Sequence, residues 1–321
     1  IGNNTKKHDA LKRTTEVVKV SDTIYGFYMG SREGLHIDDG LTFIKYVQDE
    51  KGDEKVEVVG FSRVLKSVNN NENSRELSYA KLLLGPEQKT GSRLMLHQRS
   101  QFSIDLKAMN ASNLSISLKD FEFTDINKNL NSANGIETYI NYNLAPYFGI
   151  SQLFASFNTT YLYQQYDIDR ADNSFYEDPK SNIGILGLYI GSTKKIWFGP
   201  NNLSTFLGIG GESLNIKGDA FNTGYQIKAK SIGLKLAIGF ERLISPDVSL
   251  NLGFRYQVNT TPYSMSVKIE DYDQINLESD EIDSLYPDLN LSSVGYSIGI
   301  NYTLNKLPFN LLSLLDKYKK F

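Results

Sequence analysis

The sequence predicts an all-β protein whose second half, residues 112–304, is an antiparallel up-and-down β-barrel of about eight strands. Three observations carry this expectation. Apolar residues alternate with small or polar ones over segments of ten residues or more. Short and long connections alternate between those segments. The chain holds 20 Tyr and 17 Phe against one Trp, yet has no run of the 18 or so apolar residues that a membrane-spanning helix needs.

Three segments alternate most cleanly. In the first, Ile232, Leu234, Leu236, Ile238 and Phe240 alternate with Gly233, Lys235, Ala237, Gly239 and Glu241. The second sets Val248, Leu250, Leu252, Phe254, Tyr256 and Val258 against Ser249, Asn251, Gly253, Arg255 and Gln257. The third sets Val294, Tyr296, Ile298, Ile300, Tyr302 and Leu304 against Ser293, Gly295, Ser297, Gly299 and Asn301. Each is long enough to cross a bilayer as a tilted strand. A soluble barrel, such as a lipocalin, turns its large apolar rows inward. Here the other row is glycine, serine and asparagine with a few charges, which suits a crowded narrow lumen. The apolar rows, Ile232 to Phe240, Leu250, Leu252, Phe254, Ile298 and Ile300 among them, therefore face lipid, and the barrel is transmembrane.

Weaker alternation marks further strands at 112–123, 135–145, 150–164, 183–198 and 202–216. Short turns fall at Ala145–Pro146, Gly199–Asn202 and Ser245–Asp247; longer links fall at 124–134, 165–182, 217–224 and 260–290. Short turns on the periplasmic side and long loops outside are the rule for bacterial outer-membrane barrels, and an even strand count leaves the N- and C-termini periplasmic. The pattern resembles the small eight-stranded outer-membrane proteins of the OmpA and OmpX type. That resemblance is architectural, spans about 190 residues, and implies an outer-membrane location with lipid as the first partner.

Residues 17–99 read as a separate small β-rich periplasmic module, with five short strands at Thr23–Met29, Leu41–Tyr46, Lys55–Lys66, Ser78–Leu84 and Arg93–His97. Six glycines from Gly26 to Gly91 punctuate them. The runs Gly60-Phe-Ser-Arg-Val-Leu-Lys66, Ser78-Tyr-Ala-Lys-Leu-Leu-Leu-Gly85 and Lys89-Thr-Gly-Ser-Arg-Leu94 resemble the SH3-like modules of some periplasmic assembly proteins, such as the C-terminal module of flagellar assembly protein T. That family has Gly-Asp where this chain has Gly91-Ser92, and no functional residue carries over. Residues 1–16 read as a linker or the end of a missing N-terminal region, and 101–111 as the connection into the barrel or an extension of its first strand. The segment 305–321, with Leu311, Leu312, Leu314, Leu315 and Tyr318 after Pro308 and before terminal lysines, predicts a short amphipathic helix on the membrane surface, against a partner or folded back on the module.

Chemistry is sparsely signalled. A formal charge of −3 without a basic stripe argues against nucleic-acid binding, and the absence of cysteine removes thiolate metal sites and nucleophiles. The three histidines, His8, His36 and His97, all precede the barrel, so a Ser–His pair within it is excluded. Glu137, Glu212 and Glu241 face inward alongside Lys235 and Arg255, which reads as a salt-bridged lumen filling because eight strands leave room for side chains and little else. The acidic stretch Glu270–Asp288 and the trio Asp167, Asp169 and Asp172 lack calcium-loop spacing and read as solvated loops. Gly208-Ile-Gly-Gly211 falls within a strand and is no phosphate loop. No cofactor or metal is expected. The expected role is non-enzymatic: a barrel anchoring a periplasmic module, with protein partners in the periplasm or outer membrane, in a secretion, surface-assembly or motility complex. A narrow solute pore and a surface adhesin are the alternatives.

Overall fold

The computed structural model describes residues 14–305 apart from 71–75, 98, 113, 119–125, 131–132, 168–179, 221–222, 261, 271–273, 279–280 and 283–290. It contains two closed antiparallel sheets in series. The first is built from β1 (Thr14–Ser21), β2 (Ile24–Phe27), β3 (Gly40–Gln48), β4 (Glu54–Lys66), β5 (Ser78–Leu84) and β6 (Arg93–His97), closed in the order β1-β2-β5-β4-β3-β6. Its centre is Tyr25, Phe27, Leu41, Phe43, Val64, Ala80 and Leu94, all with at most 1% exposure, and the Tyr25 and Phe43 rings meet edge to face at 5.0 Å. A single small barrel of this size has no interior to spare. At Gly85, φ is 95° and a Cβ would lie 2.7 Å from the Gly60 Cα, so only glycine fits the turn after β5.

The second sheet closes around eight strands: β7 (Arg99–Ser112), β10 (Ala133–Asn143), β11 (Leu153–Asp167), β12 (Lys180–Phe198), β13 (Asn201–Ala220), β14 (Thr223–Leu243), β15 (Val248–Asn259) and β18 (Ser293–Asn305). Each pairs with its chain neighbour, and β18 returns to β7, with Ile300 opposite Leu106. Between them, β8 (Leu114–Leu118) and β9 (Ile126–Leu130) form a separate hairpin, while β16 (Ser264–Ile269) and β17 (Ile275–Glu278) add to the far end of β14. The short turns all lie at the end where the module enters. Gly199, at φ 58°, supplies the left-handed residue needed by the two-residue link between Phe198 and Asn201.

Three expectations change. The first barrel strand is Arg99–Ser112, not 112–123: Ile104, Leu106 and Ala108 point out while Asp105, Lys107 and Met109 point in, so the presumed connector is itself a wall of the barrel. The link at 217–224 is no loop. β13 and β14 run on as a 20- and 21-residue pair to Ala220 opposite Thr223, about twice the length a bilayer crossing requires. The module has a sixth strand, β1, which pairs with both β2 and β6; only Val17 of its eight residues is buried, so it carries almost no periodic signal. The tail holding Leu311, Leu312, Leu314, Leu315 and Tyr318 lies outside the described residues, as does most of the acidic stretch after Glu270.

Phe43→Ala should empty the centre of the module's core and cost it about 3–5 kcal/mol. Protease sensitivity of residues 14–97 in an otherwise folded barrel would register this.

Candidate functional site

The inward row of each barrel strand meets at the axis, where two of the buried lysines form ion pairs. Lys235, with no exposed surface, donates to Glu137 Oε1 at 2.5 Å, Asn158 Oδ1 at 2.6 Å and Thr160 Oγ1 at 2.9 Å. All three ammonium protons are thereby used. Tyr139 O–H donates to the same carboxylate at 3.1 Å, and the Tyr139 and Tyr189 rings flank the ammonium at 5.7 and 5.3 Å. Nearer the short turns, Glu241 holds Lys195 at 2.7 Å and accepts from Asn202 at 3.1 Å. Asp105 accepts from Asn141 at 3.3 Å and from Asn301. Arg255 reaches Ser293, and Glu212 accepts from Asn259 Nδ2 at 2.9 Å. Above this polar column the inward row turns apolar: Met109, Leu162, Ile183, Ile185, Leu214, Ile216, Ile227, Met265, Val267, Ile282 and Leu291 form one buried cluster inside the long extensions.

The other end is covered by the module. Its residues touch the turns at 151–152 and 247 and the strand end at Trp197 that leads into the remaining short turn. Asp38 accepts from the Ser151 hydroxyl at 2.6 Å and the Gln152 N–H at 2.5 Å. Arg63 donates to Gln152 Oε1 and stacks over Trp197 at 4.7 Å, and the Trp197 indole N–H donates to that same oxygen at 2.7 Å. Burial draws the Arg63 guanidinium below its ordinary pKa, while Asp38 and Glu241 oppose the shift. Phe61 and Leu83 of the module pack with Leu243 of the barrel, and Lys81 donates to the Trp197 carbonyl at 3.5 Å. At the third turn Asp247 meets His97 Nε2 at 3.0 Å and Arg99 Nε at 3.1 Å. Asp38 and Gln152, which bond across this seam, both adopt left-handed backbone at φ 72° and 58°. Such conformations cost about 1–3 kcal/mol each and persist only where surrounding contacts hold them. Between the two bodies a cavity of about 60 Å³ remains, lined by Arg63, Arg99, Lys195, Trp197, Glu241 and Asp247.

The chain is similar in structure to solved outer-membrane proteins. A major outer membrane protein from Thermus thermophilus matches at 11% identity over 63% of this chain and 99% of its own, with a TM-score of 0.45. OprG from Pseudomonas aeruginosa matches at 12% over 65% and 98%, TM-score 0.43. The outer membrane protease OmpT from Escherichia coli matches at 10% over 84% and 94%, TM-score 0.36. These likenesses are distant, and the barrel is defined by its own strand pairing. No protein-family model matches the chain, and no curated protein does.

Of the five charges read from the sequence, Lys235 and Glu137 bond each other, while Glu241, Arg255 and Glu212 take other partners. Sequence reasoning missed Lys195, Asp105 and Lys107. Lys195 shares inward parity with Thr193 and Trp197, a signal present in the strand; Asp105 and Lys107 were hidden by the misplaced first strand. Among the described residues, His97 is the only histidine at the seam, and its carboxylate partner pins the module to a turn.

Removing one partner of the central pair strands a buried charge. Lys235→Met should destabilise the barrel by about 3–5 kcal/mol, and Lys235→Met combined with Glu137→Leu by clearly less; urea unfolding in detergent separates the two. The seam carries its own pH dependence. Burial pushes the Asp247 carboxyl up, but the His97 hydrogen bond and the His97 and Arg99 charges outweigh it and hold the group below the usual carboxylate value. A depressed acid stabilises the seated module above about pH 3.9 and loses that contribution as pH falls through its lowered folded value. Trp197, the sole tryptophan, sits in the seam. Its emission should hold steady from pH 7 to 5 and shift only below about pH 4; in Asp247→Asn the shift should already be present at neutrality.

Proposed function

We propose that this chain is a non-enzymatic bacterial outer-membrane protein whose closed barrel serves as an anchor and mount for the small module at its periplasmic mouth. The observation that carries the reading is the barrel's exterior. Ile232, Leu234, Leu236, Ile238 and Phe240 on β14 are 38–57% exposed, and so in comparable degree are Leu250, Leu252 and Phe254 on β15 and Ile298 and Ile300 on β18. Rows of this kind encircle the sheet, far beyond the apolar patch a water-soluble surface carries. On β14 the row is bounded by Arg242 and Lys230, roughly 40 Å apart along the strand and about 30 Å apart in height once a 35–45° tilt is allowed. Exposed aromatics gather toward both rims: Tyr161, Tyr163, Tyr256 and Tyr296 at one, Tyr147, Phe148, Phe198 and Phe240 at the other.

Orientation follows the convention that short turns face the periplasm, which puts the module there. The anchoring role is supported by the seam, where two turns and the strand end at Trp197 hold the module by ion pairs, stacking and an apolar contact. A lumen filled by side chains speaks against a solute pore, and the Glu137 and Glu241 carboxylates are occupied by lysines rather than poised beside a nucleophile. Membership of a secretion, surface-assembly or motility complex is the reading under which a mounted module has a use.

Cell fractionation with protease shaving tests the reading, with one tag in the 260–290 loop and one at the C-terminus. A membrane-bound protein with a cleavable loop tag and a protected C-terminal tag is expected; a soluble protein with both tags exposed overturns it. Leu252→Arg should cost about 2–4 kcal/mol in membrane folding, whereas Arg255→Leu should leave insertion intact and disturb only the lumen; equal tolerance of the two would mean that the faces are reversed.

A further inference from the structure

The outward face of β14 changes character at one boundary. Beyond Ile232 the next outward residues are Lys230 and Lys228, and the neighbouring strands continue the change. Pairing sets Asn215 and Ser266 on either side of Lys228, and Lys217 and Lys268 on either side of Gln226. All four lysines are exposed. With strands about 4.8 Å apart and same-face residues about 7 Å apart along a strand, the four lysine stems rise from a patch roughly 10 Å wide and 14 Å long. Between Lys217 and Lys268 the surface sinks into an open depression of about 360 Å³ that Asn182, Gln226 and Glu270 also line. The Glu270 carboxylate accepts from the Gly224 N–H at 3.1 Å, and Asp219, opposite Gly224, sits two residues beyond Lys217. Across the barrel, among the described residues, the outward positions that end the belt include Asn110 and Asn134, uncharged and bonded to each other at 2.9 Å.

We infer that this lysine face binds the phosphate groups of a phosphorylated glycolipid in the outer leaflet. The inference rests on the membrane reading above, which sets these lysines just past the end of the apolar belt on the side away from the module. Lysine offers a mobile point charge suited to phosphate oxygens of variable position, and its apolar stem lies along the strand while the head reaches the headgroup layer. Lysines that served only to keep the extensions soluble would need no concave floor between them. Serine and asparagine between the lysines supply neutral partners for the sugar hydroxyls.

The test compares the native chain, a variant carrying Lys217→Gln, Lys228→Gln, Lys230→Gln and Lys268→Gln, and a control with the same charge change in the module, Lys19→Gln, Lys55→Gln, Lys66→Gln and Lys89→Gln. Each is folded in detergent and titrated with diphosphoryl lipid A and with the dephosphorylated lipid, bound lipid being counted by native mass spectrometry. Native and control proteins should favour the phosphorylated form at least tenfold, and the barrel variant should bind both forms alike. Equal binding of the two lipids by the native chain, or an undiminished preference in the barrel variant, overturns the inference. So does displacement of the lipid by millimolar inorganic phosphate, which would make this a free-phosphate site. Flotation with phosphatidylcholine vesicles keeps the two readings apart. Proteins that float but show no phosphate preference refute the glycolipid site alone, and a native chain that fails to float refutes the membrane reading beneath it.

Discussion

Everything in this molecule follows from closing a sheet of eight strands. Closure gives every backbone N–H and C=O in the wall a partner, which is the condition for strands to stand in hydrocarbon. It also makes the interior too narrow for anything but side chains. A lumen so confined makes an unmatched charge costly, and the Lys235 ammonium with its three acceptors is the fully matched case. Apart from Tyr139, Tyr189 and Phe206, the large apolar residues lie on the outside or in the wider extensions above, where Leu214, Ile216 and Ile227 build a core of their own. One topological fact thus sorts residues into three environments along each strand.

The module solves a different problem with the same architecture. Its six strands enclose an aromatic core, so its surface is free to make contacts, and it directs them at the barrel's turns. The strained residues lie there too: Asp38 and Gln152 hold left-handed backbone in order to face each other. Strain retained at a boundary between two bodies marks the boundary as something the fold maintains rather than an incidental touch.

The parts of this arrangement that were legible in the sequence are those with an uninterrupted period. β14, β15 and β18 present clean rows because each face meets a single environment for ten residues or more. Where the environment changes along a strand, the pattern breaks. In β12 the buried residues Ile183 and Ile185 share parity with Thr193 and Lys195, since the inside is apolar at one end and ionic at the other, and the upper half therefore looked irregular. β7 was obscured by its origin in the module, which put Arg99 and Gln101 at its start. The pairing of Glu241 with Lys195 could not be read at all, because lumen partners are chosen by the shear of the barrel and not by spacing in the chain. The seam was equally invisible, being made from turns that lie far apart in the chain.

That wide spacing has a consequence for biogenesis. The module precedes the barrel in the chain, yet its contacts come from the turns at 151–152 and 247 and from Trp197, which stand together only once at least six strands have been laid side by side. A half-inserted barrel offers an incomplete landing. Full seating of the module therefore waits on the wall above it, and of the two bodies the earlier in the chain is the later to come to rest.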